Sequence, residues 1–349
     1  MKHLRVAFET QFASGTPTGL GVYAQKLACA LAERSDVDLV ELRDANYDVW
    51  RFDRRVYWDQ VRVPLLARAS RADIVHFTGG TLPLRAPHPC VLTLHDLAWL
   101  HGAVNGRVHS RLYFGPIQNH LVRQADMIAT DTDVARSDIM ENLHLPPSRV
   151  AVTGAGVDDS WFETPRSPQD PPLLLSVGTV EERKDLITAV RALAVLPAFR
   201  LVSAGPQTPY AKKVMHVAAD LALGERVELL GFVDDATLRS LYSRASALLF
   251  PSLYEGFGLP PLQALAAGLP VVTSDLPVLR EVLGDCAFFA HPGDPASFAD
   301  AVRATATSNT VVRTLVERGR THARRFTWSR VAERTMNLYR EVLGCSGRL

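Results

Sequence analysis

Cysteine is scarce and scattered in this sequence: Cys29, Cys90, Cys286 and Cys345 form no CxxC pair, no zinc-ligand spacing and no disulfide framework. This usage favours a reducing compartment, and we expect a cytoplasmic protein. No apolar run reaches about 18 residues, so no membrane-spanning helix is predicted. The opening apolar stretch is too short for a signal peptide. The HExxH zinc motif, the P-loop and the GxSxG nucleophile elbow are also absent.

Neither sign of charge is in excess. The 38 basic and 37 acidic residues give a formal net charge of +1, which argues against a general nucleic-acid-binding protein. Of the 349 residues, 47% are apolar and 21% charged, so the chain can bury a core. At about 100–200 residues per domain, this length predicts two domains.

Short β-branched runs alternate with helical patterns along the chain, which predicts mostly parallel sheets covered by helices on both faces. The strands predicted in the first half are Leu4–Glu9, Val37–Leu42, Asp73–Phe77, Cys90–His95, Asp126–Thr130 and Arg149–Thr153. Those predicted in the second half are Leu173–Thr179, Arg200–Ala204, Arg226–Leu230, Ala247–Phe250, Pro270–Thr273 and Ala287–Ala290. Helices are predicted at Gly21–Arg34, Arg107–Arg123 and Asp133–Asn142.

Four prolines between Pro165 and Pro172 predict a linker between the halves, because proline suits neither a helix interior nor a central strand. The last helix is predicted to begin after Phe326. Its apolar face needs a packing partner. That face comprises Trp328, Val331, Ala332, Thr335, Leu338, Tyr339 and Val342. Ligands of doubly wound sheets bind at the carboxyl ends of the strands, so the loops that follow strands are where chemistry is expected.

The strongest local motif is Pro251–Gly268, directly after a predicted strand. Gly256 and Gly258 flank Phe257, so the backbone can approach a ligand closely. The helix N-terminus that follows favours an anion such as a diphosphate. Because a carboxylate would repel phosphate, the natural partner of Glu255 is a hydroxyl-rich group such as a sugar. The structural alternative is a glycine-rich turn with a surface glutamate.

A second motif follows the first strand of the second half. Gly178 permits a tight strand exit, and Arg183 and Lys184 are predicted to open the next helix. Two cations at a helix start are unfavourable with its dipole unless a bound anion neutralises them. The alternative is a solvated basic pair that Glu181 or Glu182 neutralises.

A third motif, Gly19–Ala24, satisfies GxGxx(G/A), and the acidic Glu41 lies about 20 residues further on. This pattern raises an NAD-dependent oxidoreductase as an alternative. The fingerprint must follow its strand directly, however, and residues 10–18 intervene here. A glycine-rich loop at a helix start can still close over a phosphate.

In the TLHDL motif, His95 and Asp96 stand at the end of a predicted strand and are expected to reach the ligand region; a structural histidine–aspartate hydrogen bond is the alternative. Asp131 and Asp133 form a DxD pattern, which some transferases use for Mg²⁺, but capping of the following helix is the simpler interpretation. No ligand triad has metal-binding spacing, so no metal site is predicted.

The stretch Trp50–Arg62 mixes aromatic residues with arginines. Such a mixture can contact lipid headgroups, sugar rings or single-stranded nucleic acid. A loop whose aromatic residues pack under the first sheet is the structural alternative.

In combination and order, these motifs resemble those of retaining glycosyltransferases of the GT4 family, over almost the whole chain. The glycine-rich first loop, TLHDL, GTVEERKDL, the GFV at Gly231–Val233, the block around Glu255 and the last helix carry the resemblance. It implies an α/β GT-B fold, with two doubly wound Rossmann-like domains facing a central cleft. The implied parts are an acceptor-binding domain (1–164), the linker (165–172), a nucleotide-sugar-binding domain (173–325) and a last segment (326–349) that packs back onto the first domain.

The resemblance also implies roles for individual residues. Glu255 would hold sugar hydroxyls, and Lys184 and Arg183 would bind the diphosphate. The implied catalytic residues are Glu255, Lys184, Arg183 and His95; the donor-binding residues are Gly19, Gly21, Gly178, Phe232, Val233, Gly256, Phe257, Gly258, Leu259 and Gln263; the acceptor-binding residues are His95 and Asp96. No metal cofactor is implied.

One position departs from the family pattern. The second acid of the family's E-x7-E motif falls on Gln263, which is neutral and therefore forms weaker bonds to ribose hydroxyls. The expected reaction is hexose transfer from a nucleotide-diphosphate sugar, GDP-mannose first and UDP-sugars next. The acceptor would be a glycan or lipid-linked precursor of a cell-envelope polysaccharide at the cytoplasmic membrane face. A non-catalytic nucleotide-sugar-binding protein and a sugar-nucleotide epimerase are the remaining alternatives.

Overall fold

The computed structural model describes residues 3–15, 18–100, 108–307 and 309–345. It divides into two units, one of Met1–Gly156 together with Trp328–Leu349 and one of Val157–Thr327. Every strand predicted from the sequence has a counterpart, and the helices lie between the strands. The α/β class is therefore confirmed.

Within the described part of the first unit, six parallel strands form one sheet in the order β2-β1-β3-β4-β5-β6. Strands β3, β4 and β5 are buried along their whole length, as expected for a parallel sheet covered on both faces. The strands are β1 (Leu4–Glu9), β2 (Val37–Leu42), β3 (Ile74–Phe77), β4 (Cys90–Thr93), β5 (Met127–Thr130) and β6 (Val150–Val152). The helices between them are α1 (Gly19–Ala32), α2 (Phe52–Tyr57), α3 (Val63–Ser70), α4 (Val108–Leu112), α5 (Gln118–Leu121) and α6 (Asp133–Leu143).

The described residues of the second unit also form a sheet of six parallel strands, in the order β12-β11-β10-β7-β8-β9. The strands are β7 (Leu173–Val177), β8 (Arg200–Ala204), β9 (Val227–Gly231), β10 (Ala247–Phe250), β11 (Val271–Ser274) and β12 (Phe288–Ala290). The helices are α7 (Leu186–Leu193), α8 (Tyr210–Asp220), α9 (Asp235–Arg244), α10 (Leu259–Ala267), α11 (Pro277–Leu283), α12 (Pro295–Thr307) and α13 (Asn309–Ala323).

The last helix, α14 (Trp328–Cys345), belongs to the first unit. Every residue of its predicted apolar face is at most 8% exposed. The Trp328 ring lies edge-on to Tyr23 of α1, with centroids 5.7 Å apart. The Tyr339 hydroxyl lies 2.6 Å from Nδ1 of His76 in β3, so the helix is tied to the sheet by a buried hydrogen bond.

The helical pattern predicted over Arg107–Arg123 is confirmed for its described residues, but the helix is interrupted at Gly115. Arg107 lies outside the described residues, and the rest forms α4, a π-helical turn at Tyr113–Ile117 and α5. Gly115 has non-helical dihedral angles, and Pro116 follows it. Proline removes a backbone donor and clashes with the preceding turn, which explains the break.

The proline-rich segment 165–172 lies inside the second unit, because the division between the units falls earlier, at Gly156. Side chains just after this point are anchored there. The Trp161 ring packs on Tyr242 of α9, with centroids 4.8 Å apart, and Arg166 donates to the Ala245 carbonyl at 2.6 Å.

Among the described residues, none of the helices combines the length and the hydropathy that crossing a membrane requires.

Candidate functional site

The order of the second sheet places a topological switch point between β7 and β10. From β7 the chain adds β8 and β9 on one side, whereas β10, β11 and β12 lie on the other. Open α/β sheets bind ligands at the carboxyl ends of the strands beside such a point. The loops that follow β7 and β10 carry Gly178, Arg183, Lys184 and Glu255, so the geometry brings these predicted residues together.

Glycines let the loops after β7 and β8 pass each other closely. Gly178 has φ +144° and Gly205 φ +150°, both in the region that favours glycine. A Cβ added to Gly205 would lie 2.1 Å from the Gly178 carbonyl oxygen. A Cβ on Gly178 would lie 3.8 Å from Cε of Lys184, so the lysine stem covers this glycine. The tight strand exit predicted at Gly178 is confirmed.

Arg183, Lys184 and Glu255 form what we call the switch-point cluster. Lys184 Nζ contacts Glu255 Oε1, and Arg183 Nη1 lies 3.7 Å from Glu255 Oε2. Arg183 Nε also pairs with Glu181 at 2.8 Å. The side chains of Lys184, Arg183 and Glu255 are 16%, 24% and 7% exposed, so the pairs are largely shielded from water.

Burial and charge act in opposite directions on this cluster. Burial alone would raise the pKa of Glu255, but the positive charges of Lys184 and Arg183 outweigh it and lower that pKa. Burial lowers the pKa of Lys184, and Glu255 offsets only part of that effect. Glu255 is therefore a carboxylate at neutral pH, held between two cationic groups.

The sequence predicted that Arg183 and Lys184 open a helix, and this prediction is wrong. They lie in a 3₁₀ turn at Glu182–Lys184, and α7 begins at Leu186. Asp185, between this turn and α7, has a left-handed backbone conformation with φ 44°. In this structure Glu181 and Glu255 supply the counter-charge of Arg183 and Lys184, so the position of the two cations does not by itself require a bound anion. The Leu253 N–H donates to the Arg183 carbonyl at 2.8 Å, which joins the two loops.

In the block after β10, helix α10 begins at Leu259, beside Pro260, and Gly268 caps its C-terminus after Ala267. Gly258 has φ +94°, and a Cβ there would lie 2.7 Å from Leu279, so glycine is required. Phe257 is only 6% exposed and faces Phe326, with ring centroids 6.1 Å apart. Only its backbone can therefore serve a ligand.

The remaining donor-site candidates of the second unit lie outside the switch-point cluster. Gln263 is within 3.5 Å of the Tyr242 hydroxyl, which also donates to the Pro260 carbonyl at 3.2 Å. Phe232 follows β9 and is 50% exposed, and Val233 beside it is half-buried. An exposed aromatic ring at a strand end is available for stacking on a nucleobase.

Packing explains one of the two glycines at the start of α1. A Cβ on Gly21 would lie 2.1 Å from the Phe12 carbonyl oxygen, whereas Gly19 has no atom within 4 Å. Glu41, the acid of the supposed dinucleotide fingerprint, accepts a hydrogen bond from the Thr10 hydroxyl at 2.8 Å. The GxGxx(G/A) match thus reflects close helix packing and needs no dinucleotide.

His95 follows β4 and meets a carboxylate that follows β5. Its Nδ1 lies 2.6 Å from Asp131 Oδ2, and the Tyr23 ring stands edge-on to it at 4.5 Å. Burial would lower the pKa of His95, but the charge of Asp131 and its hydrogen bond raise it. Asp96 accepts from the Ala98 N–H at 2.9 Å, so it shapes the loop.

The expectation that Asp131 and Asp133 cap α6 is wrong. Thr132 is the N-cap, and its Oγ1 accepts from the Ala135 N–H at 3.1 Å. The cap thereby leaves Asp131 free to pair with His95, a partnership that the sequence did not reveal. The only sequence signal for it was the placement of both residues directly after neighbouring strands.

The stretch Trp50–Arg62 divides between core and surface. Trp58 is fully buried and donates to Glu9 Oε1 at 2.7 Å, whereas Trp50 and Tyr57 are 50% and 47% exposed. Burial, with the nearby charge of Asp59, raises the pKa of Glu9 to about 7.

A group of metal-ligand type lies at the opposite ends of the same strands. His88, Cys90 and Asp126 have ligand atoms within 4.8 Å of one another. The Asp126 carboxylate already accepts from the Cys90 N–H at 2.7 Å and lies 2.7 Å from His88 Nδ1. Burial raises the pKa of the Cys90 thiol to about 12, which disfavours the thiolate that a metal needs. The group is explained by these internal bonds.

Comparison with known proteins agrees with this arrangement. The family models described as "Glycosyltransferase Family 4" and "Glycosyl transferases group 1" match residues 17–161 and 157–322. The O-antigen chain mannosyltransferase RfbU of Salmonella typhimurium is 27% identical over 315 residues, covering 82% of this chain and 86% of that protein. The O-antigen chain mannosyltransferase B of Escherichia coli is 30% identical over 234 residues, covering 62% of this chain and 61% of that protein.

Among solved structures, sucrose-phosphate synthase from Thermosynechococcus elongatus has a TM-score of 0.81 at 19% identity, covering 98% of this chain and 100% of that one. At this identity the likeness concerns the fold alone. Together, the two family models, the two Rossmann-like sheets and this likeness identify the chain as a glycosyltransferase of the GT4 family with the GT-B fold.

Proposed function

We propose that the protein transfers a hexose from a nucleotide-diphosphate sugar to a glycan or lipid-linked acceptor, with retention of anomeric configuration and without a metal ion. The switch-point cluster carries this proposal. Two cationic side chains and one carboxylate, all mostly buried, meet where α/β sheets bind ligands. Cations suit a diphosphate, and a carboxylate suits sugar hydroxyls.

The mechanism that these residues support is electrostatic. When the bond between the sugar and the diphosphate breaks, negative charge builds on the leaving group. Lys184 and Arg183 are held in place before the reaction by Glu255 and Glu181, so stabilising that charge needs little reorganisation. The N-terminus of α10 adds a positive dipole end close to Glu255 in the chain. These groups supply the charge that a metal ion provides in other enzymes.

GDP-mannose is our first choice of donor, and UDP-sugars come next. The names of RfbU and of O-antigen chain mannosyltransferase B support mannose and an acceptor in polysaccharide synthesis. Gln263 would meet the ribose as a neutral partner, and the exposed Phe232 would stack on the base.

We also propose that the first unit binds the acceptor at a membrane surface on the cytoplasmic side. Trp50 and Tyr57 are half-exposed, and the neighbouring Arg51 and Arg54 side chains are 65% and 43% exposed. Aromatic rings with adjacent cations suit anionic lipid headgroups. Sedimentation with anionic vesicles should carry down the wild type and not a Trp50→Ser, Tyr57→Ser variant; equal sedimentation would contradict this part.

The first experiment is a thermal-shift titration with GDP, UDP, ADP, dTDP, their sugars and NAD, each with and without EDTA. A ligand at 100 times its Kd adds about 2.7 kcal/mol of stability. We expect one nucleoside diphosphate to stabilise the protein in EDTA and Lys184→Met to abolish the shift. Lys213→Met is the matched control, because Lys213 is 66% exposed in a surface pair. Stabilisation by NAD, or only with Mg²⁺, would refute the proposal.

A transfer assay completes the test. Release of the nucleoside diphosphate that depends on the acceptor distinguishes a transferase from a non-catalytic binding protein, and formation of a changed donor sugar without acceptor would indicate an epimerase.

A further inference from the structure

One ring nitrogen of His95 has a hydrogen-bond partner among the described residues, and the other has none. Nδ1 pairs with Asp131, but Nε2 is buried with no hydrogen-bond partner among the described residues. Asp131 is 4% exposed, and its Oδ1 likewise has no partner there. Buried polar atoms are almost always satisfied, so an exception at a strand's carboxyl end calls for an explanation. A ligand hydroxyl would provide one.

We infer that Asp131 is a positioning residue: it keeps a proton on Nδ1 of His95 and so presents Nε2 as an acceptor for a substrate hydroxyl at the carboxyl ends of β4 and β5. This inference rests on the proposed function for the identity of the substrate. The pairing itself, at 2.6 Å between a buried carboxylate and a ring nitrogen, does not.

The surroundings make Asp131 the dominant partner of the ring. The Tyr23 ring packs edge-on at 4.5 Å and fixes the plane of the imidazole. Asp96 adds a weaker negative charge, and His76 lies close enough to interact with His95 electrostatically. Burial lowers the pKa of His76 to about 3, so His76 stays neutral and does not compete for a proton.

The tautomer decides what the ring can do. With the Nδ1 proton donated to Asp131, neutral His95 offers a lone pair at Nε2 to a hydroxyl. An asparagine at position 131 could either accept from Nδ1 or donate to it, so the preference would be lost. It would also remove the charge that raises the pKa of His95.

The test combines a spectroscopic and a kinetic measurement on the full chain. Nitrogen-15 NMR of histidine-labelled protein is recorded above the raised pKa of His95, where the ring is neutral, and the His95 signal is identified through His95→Gln. It should show a protonated Nδ1 and an unprotonated Nε2 in the wild type and mixed tautomers in Asp131→Asn. In the transfer assay, Asp131→Asn should lower kcat on the order of 10²-fold. Nucleoside diphosphate binding should stay unchanged, because Lys184 and Arg183 would provide it.

The acidic limb of the kcat profile should also move to lower pH in Asp131→Asn, because the variant lacks the charge that raises the pKa of His95. Asp133→Asn removes the same charge from an exposed position two residues away and should change neither readout. Adding Asp131→Asn to His95→Gln should cause no further loss, since Asp131 acts through His95.

An unchanged tautomer in Asp131→Asn, or additive losses in the double variant, would overturn the inference. If Asp131→Asn does not fold, an Nε2-protonated His95 in the wild type would overturn it. Failure of the wild type to bind any nucleotide would refute the proposed function alone, because the NMR measurement needs no substrate.

Discussion

Removing the negative charge of Glu255 should destabilise the second unit, whatever the substrate. The carboxylate is 7% exposed and is the shared partner of Lys184 and Arg183. In Glu255→Gln the shape of the side chain is kept, but the mostly buried Lys184 loses its counter-charge. Burial already lowers the pKa of Lys184, so the charged form becomes harder to maintain.

The expected loss is about 3 kcal/mol, the lower end of the range for breaking a buried ion pair on one side. For a unit of this size each kcal/mol corresponds to about 2–4 °C in Tm, so the melting temperature should fall by about 6–12 °C. The loss should depend on pH. Because the folded-state pKa of Glu255 is lowered, its stabilisation is present above the ordinary glutamate pKa and disappears as the pH falls through the folded value.

Differential scanning calorimetry between pH 4 and pH 8 would measure both effects. The matched control is Asp275→Asn, which removes a carboxylate paired at 2.6 Å with Arg280 at the surface, where the partners are 39% and 46% exposed. Such exposed pairs contribute only about 0–1 kcal/mol. If Glu255→Gln melts within about 2 °C of the wild type at pH 7, the buried pair does not stabilise the unit, and the reasoning fails.

Three further predictions concern other positions. Gln263→Glu should tighten nucleotide-sugar binding by up to about tenfold, because a charge-assisted bond is roughly twice as strong as a neutral one; calorimetry showing weaker binding would contradict the ribose role. Gly21→Ala should destabilise the first unit, since its Cβ would lie 2.1 Å from a backbone oxygen, whereas Gly19→Ala, with open space around it, should be neutral; equal urea midpoints would contradict this. Tyr339→Phe should cost about 1–3 kcal/mol by leaving Nδ1 of the buried His76 unsatisfied, and an unchanged unfolding free energy would show that the bond is not needed.

The central strands of the two parallel sheets were predictable from their composition. Such strands are buried on both faces and appear as short apolar runs, as Ala247–Phe250 does, with all of its residues buried. The helix boundaries with defined chemistry were predictable as well. Asp294, in front of Pro295, accepts from the Ala296 N–H at 2.9 Å, and aspartate is a residue type that favours the cap position.

Features set by tertiary contacts were not predictable in this way. The proline-rich segment looked like the boundary between domains, yet Trp161 just before it packs on Tyr242 of α9, and Arg166 within it donates to the Ala245 carbonyl that follows α9. Composition reveals where a chain is stiff, but the division between two cores depends on where large side chains are buried. Local patterns carry no information about that.

The candidate site shows the same limit. Lys184 and Glu255 are 71 residues apart in the chain, and each motif alone suggested an anion or a sugar. Their contact exists because β7 and β10 are neighbours at the switch point, which is a property of strand order. The resemblance to a family supplied the roles; only the structure shows that the carboxylate and the two cations hold one another in place.

The pair of His95 and Asp131 also depends on strand order and could not be predicted from either motif alone. They follow adjacent strands, β4 and β5, and parallel pairing brings the ends of those strands to one edge of the sheet. In the sequence, Asp131 competes with Thr132 and Asp133 for the role of helix cap, and all three residue types suit it. Because Thr132 is the N-cap of α6, Asp131 remains a buried carboxylate that needs a hydrogen-bond partner, and His95 Nδ1 lies 2.6 Å from it. The choice of Thr132 as the cap thus leaves Asp131 as the carboxylate that pairs with His95.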